Sequence, residues 1–99
     1  MNKKIHTGEM DRLMEGILQL NNLEECYQFF EDLCTINELV SLGQRFEVAR
    51  MLREDHTYSE IAEVTGASTA TISRVNRSLN YGNDGYDLIL DRMKKDKTE

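Results

Sequence analysis

An all-α fold is what this sequence predicts, on three grounds. Its 99 residues include no proline and 6 glycines, so little interrupts helix. Apolar residues recur at three- and four-residue steps over most of the span from Met10 to Met93. The short breaks between those runs carry residues that cap helices. The length is that of one domain, and the 39% hydrophobic content supplies a core. We place that domain at residues 10–93, between a flexible N-terminus at 1–9 and a polar tail at 94–99.

Met10, Leu13, Met14, Ile17 and Leu18 mark the face of a first helix, which Asn21-Asn22 ends. A second begins near Glu24-Glu25, where a helix N-terminus favours negative charge, and runs to Cys34. Its apolar residues, Leu23, Cys26, Tyr27, Phe29, Phe30, Leu33 and Cys34, spread over about 160°. That exceeds the ~100° needed for packing on one side, so a partner subunit is expected to cover the rest. Thr35-Ile36-Asn37-Glu38 is a capping box that opens a third helix, running to about Arg53. Thr57-Tyr58-Ser59-Glu60 is a second such box, and Gly66 stops the short helix it starts. Ser68-Thr69 caps a fifth helix through about Asn80. Gly82-Asn83-Asp84-Gly85 is a turn, and Tyr86, Ile89, Leu90 and Met93 step like a sixth helix.

Residues 58–80 carry the functional information. A short helix, a turn at Gly66 and a longer helix make a helix-turn-helix. Ala62 is small where the helices meet, and Ile61, Ile72, Val75 and Leu79 supply the apolar contacts beneath. Ser68, Thr69, Ala70, Thr71, Ser73, Arg74 and Arg77 are left on or beside the outer surface. Small hydroxyl side chains near a helix N-terminus reach phosphates or base edges, and Ala70 suits a thymine methyl. Arg74 and Arg77 are the cationic anchors.

Charge limits the kind of partner. Acids outnumber bases by 18 to 12, giving −6. Residues 1–56 carry −5, residues 57–81 carry 0 and residues 82–99 carry −1. This excludes a uniformly basic nucleic-acid coat, but the acidity lies mostly outside the helix-turn-helix. Weak non-specific affinity and strong dependence on specific contacts are therefore expected. The acidic surface also suits a second reading, a helical module that grips a protein of the transcription machinery.

Enzyme chemistry finds no footing. His6 falls in the N-terminal arm and His56 in a polar break, and neither cysteine has a histidine at motif spacing. Cys26 and Cys34 fit no metal or redox motif and are expected to be buried, reduced thiols. No metal and no cofactor is implied. No apolar run nears the roughly 20 residues that span a bilayer, and no apolar segment follows the N-terminal lysines. A cytoplasmic location is the expectation.

The run from Gly66 to Arg74, followed by Asn76-Arg77-Ser78-Leu79, resembles the turn and recognition helix of the tryptophan repressor. Leu33-Cys34-Thr35 and Leu42-Gly43-Gln44-Arg45 also resemble that protein's approach to its third helix. Leu23 to Thr35 and Asn80 to Leu88 are similar to the YerC/YecD-type proteins of the same superfamily. The resemblance spans roughly residues 10–93. It implies a six-helix protomer in an intertwined homodimer that binds a near-palindromic DNA operator and represses transcription. It also implies an effector pocket at Thr35, Arg45 and Arg74. Where the repressor has glycine after its second pocket arginine, this chain has Val75, which intrudes on the space of an indole. Tryptophan is therefore not the expected effector.

Overall fold

The computed structural model describes residues 4–97 and contains six helices. They are α1 (Gly8–Ile17), α2 (Leu23–Leu33), α3 (Ile36–Arg53), α4 (Tyr58–Thr65), α5 (Thr69–Tyr81) and α6 (Gly85–Lys97). Among the described residues there is no strand.

Local side chains fix where the helices start. The Asn22 side chain accepts from the Glu25 N–H at 2.8 Å, so the Asn21-Asn22 break is itself the cap of α2. At α3 the Thr35 hydroxyl accepts from the Glu38 N–H at 3.1 Å, and Glu38 Oε1 accepts from the Thr35 N–H at 2.8 Å. The α4 box repeats that geometry with Thr57 and Glu60, at 3.1 and 2.8 Å.

Both ends of the chain are more helical than its sequence suggests. Thr7 caps α1 by accepting from the Met10 N–H at 3.2 Å, so Gly8 and Glu9 join the helix instead of the expected flexible arm. Residues 1–3 of that arm lie outside the described residues. At the other end α6 continues through Lys94 to Lys97, within the expected polar tail. Good helix formers fill that stretch, and lysines near a helix C-terminus suit its dipole. Residues 98–99 lie outside the described residues.

The chain divides into two compact units after Leu39. The second holds a core built from Val48, Ala49 and Met51 of α3, Ile61 of α4, Ala67 of the turn, Ile72 and Val75 of α5, and Leu90 of α6. Burial of each large aliphatic there stabilises by about 1.5–3 kcal/mol. Phe46 and Tyr86 pack at its edge with ring centroids 6.3 Å apart. Arg53 of α3 reaches Asp87 at 3.3 Å and Asp91 at 2.6 Å, tying α3 to α6.

The first unit is different. Neither α1 nor α2 has a buried residue. Leu18 is 80% exposed and Leu23 73%, and Met14, Tyr27 and Leu33 are exposed as well. Cys26 and Cys34 are free but only half-buried, which corrects the expectation of buried thiols. Their apolar face exists, but no residue of α1 or α2 is buried on it.

Candidate nucleic-acid interface

Two short helices and the turn between them carry the candidate site. α4 ends at Gly66, whose φ of 75° is left-handed backbone that costs glycine nothing. Gly66 N–H donates to the Ala62 carbonyl at 2.9 Å. The chain then needs only Ala67 before Ser68 caps α5, accepting from the Thr71 N–H at 3.1 Å. Ala67 is 5% exposed, small enough to sit beneath the turn.

One side of α5 is committed to the core and the other is open. Ile72 and Val75 are buried, and Leu79 packs partly buried beside them. Ser68, Thr69, Ala70, Ser73, Arg74 and Arg77 are exposed, while Thr71 is half-buried with its hydroxyl accepting from Ser68 Oγ at 3.1 Å. All seven residues picked out from the sequence thus lie on or beside one outer surface of the helix.

The electrostatics of this face differ from the rest of the molecule. The first turn of α5 has no acidic residue, whereas α1, α2, α3, α4 and α6 each have at least one. The positive end of its dipole is left uncompensated. Among the described residues no carboxylate lies within 4 Å of Arg74 or Arg77. Arg50, by contrast, is engaged by Glu47 and Glu54, and those partners raise its pKa, Glu47 most. Arg53 is likewise raised, chiefly by its hydrogen bond to Asp91. The helix-turn-helix therefore leaves two guanidiniums unpaired, while Arg50 and Arg53 of α3 are engaged in internal pairs.

The residues suggested for an effector pocket are distributed as follows. Thr35 belongs to the first unit, where its hydroxyl is occupied as the α3 cap. Arg45, half-buried on α3, and Arg74, exposed on α5, belong to the second. Val75 is 2% exposed and part of the core. Among the described residues no group of three or more His, Cys, Asp or Glu could hold a metal ion. Nor is any helix among them long and apolar enough to cross a membrane.

Sequence reasoning missed two polar residues that bind the site to the rest of the fold. Gln44 Nε2 of α3 donates to the Thr65 carbonyl at 3.1 Å. The Thr65 hydroxyl donates to the Ile61 carbonyl at 2.7 Å and accepts from the Ala67 N–H at 3.1 Å. The available hint was a threonine directly before the turn glycine, a residue type that bonds locally to backbone.

Comparison with known proteins bears on the whole chain. The sequence model of a family described as Trp repressor protein matches residues 8–94. The uncharacterized protein YerC of Bacillus subtilis (strain 168) is 64% identical over 96 residues, covering 97% of this chain and 92% of YerC. The crystal structure of a TrpR-like protein from Eubacterium eligens matches with a TM-score of 0.91 at 64% identity, covering 94% of this chain and 96% of that one. A candidate Trp repressor from Staphylococcus aureus matches with a TM-score of 0.90 at 56% identity, covering 93% and 92%.

Proposed function

Because this chain belongs to the Trp repressor family, a family of DNA-binding regulators, we propose that it is a sequence-specific repressor of transcription acting as a dimer. The observation that carries this is α5 itself: a helix clamped on one side by a core and open on the other, with hydroxyls at its start and two unpaired arginines beyond them. In this reading Ser68, Thr69, Ala70, Thr71 and Ser73 meet base edges and phosphates, while Arg74 and Arg77 anchor the backbone. Acids elsewhere oppose binding weakly, since screening at physiological salt acts over about 8 Å.

The dimer is supported by the uncovered apolar faces of α1 and α2, which a second copy would bury. Two α5 helices about 34 Å apart would then enter successive major grooves of a near-palindromic operator. The branched Val75 directly after Arg74 supports a regulator for which tryptophan is not the effector. Titration calorimetry with tryptophan is expected to show no saturable heat, and saturable micromolar binding would overturn that reading.

Selection of bound duplexes from a random pool tests the proposal. Enrichment of a near-palindrome supports it. No enrichment at low salt would contradict it and favour a protein partner instead.

A further inference from the structure

We propose that Gln44 and Thr65 are positioning residues for DNA recognition, a latch through which α3 sets the angle of α5; this role rests on the reading that α5 enters duplex DNA. Thr65 closes α4, so its carbonyl is one of the last four of that helix with no intrahelical partner. Gln44 fills the vacancy from another helix, donating at 3.1 Å. The Thr65 side chain meanwhile holds both sides of the turn: it donates backwards to Ile61 at 2.7 Å and accepts forwards from Ala67 at 3.1 Å. Ala67 is buried, and without that hydroxyl its N–H would be a buried donor with no partner.

Directional bonds matter here because the side-chain packing between α4 and α5 is not directional. The Gly66 N–H is bonded to the Ala62 carbonyl within α4, and the contacts of Ile61, Ile72 and Val75 that join α4 to α5 are apolar. Such contacts hold α5 against the core without fixing its tilt. α5 is 13 residues long, about 20 Å, so a tilt of about 10° at the turn moves its far end by about 3 Å. The same tilt moves Ser73, about 6 Å along the helix, by about 1 Å, which stretches a hydrogen bond to a base edge past its usual length. The chain of bonds from Gln44 through Thr65 to Ala67 links α3 to the turn two residues before α5 begins.

The test compares wild type with Gln44→Met, Thr65→Val and Thr65→Ser. Fluorescence anisotropy is read on the selected operator and on a scrambled duplex over a salt series, at a temperature where thermal melts show every variant folded. Gln44→Met and Thr65→Val are each expected to lower the specific-to-nonspecific ratio roughly five- to tenfold, the size of one lost hydrogen bond. The salt slope stays unchanged, since no phosphate contact is removed. Thr65→Ser keeps the hydroxyl and restores the ratio. Should Thr65→Val fail to fold, Gln44→Met carries the comparison, because a half-buried side chain of matching length is retained. A lower melting temperature with an unchanged ratio in the folded variants would overturn the latch and leave the regulator reading intact. A wild type that distinguishes no duplex would instead overturn that reading, and the latch with it.

Discussion

Residues 4–39 and residues 40–97 are written in the same vocabulary but end differently. Both consist of amphipathic helices started by side-chain caps, and the capping boxes at Thr35 and Thr57 match to a tenth of an ångström. Only the second region encloses a core, with eight buried apolar residues, while α1 and α2 bury none. Amphipathic spacing therefore shows that a face must be covered without showing what covers it. In the second region the cover is the chain itself; in the first we propose that it is a second copy.

The largest effect should come from attacking the first region. Leu18→Asp together with Leu23→Asp would place unpaired charges in the proposed interface, at a cost on the order of 3 kcal/mol each. Sedimentation is expected to show monomers where wild type gives dimers, and an unchanged dimer would dissolve the contrast between the regions. Next is Ile72→Ala, which empties a fully buried site in the second region and should lower its stability by about 3 kcal/mol in urea unfolding.

Backbone substitutions rank below these. A Cβ at Gly82 would press into the Ser78 carbonyl at the end of α5. Gly66→Ala meets open space but adopts a left-handed φ. Each is expected to cost about 1–2 kcal/mol in thermal melts. The smallest effect concerns the two capping carboxyls. Glu38 and Glu60 are both held below the ordinary 4.5, first by the backbone N–H of Thr35 or Thr57 and then by its hydroxyl, with His56 adding to the shift of Glu60. A carboxyl shifted downward stabilises the fold above its ordinary value and loses that contribution as pH falls through the lowered one. The melting temperature should drop slightly over that acidic window. Glu38→Gln and Glu60→Gln should each flatten part of the drop.

Much of this was legible in advance because the capping and turn residues act locally. Thr35, Thr57, Gly66 and Ser68 each bond or bend within four residues of themselves, so the helix starts could be read directly. The inward side of α5 was legible too, since Ile72, Val75 and Leu79 follow the helical period. What escaped notice was action at a distance. Gln44 lies 21 residues from Thr65, and a glutamine on an amphipathic helix looks like any solvated position. The half-burial of Cys26 and Cys34 escaped for the related reason that a stripe width does not say which chain closes it.

The outer face of α5 is tested most directly by Arg74→Ala with Arg77→Ala, followed as operator affinity against salt. If both guanidiniums meet phosphates, affinity falls and the slope of log affinity against log salt flattens by about two, with no loss of thermal stability. An unaltered slope and affinity in the double variant would mean that this face does not meet DNA.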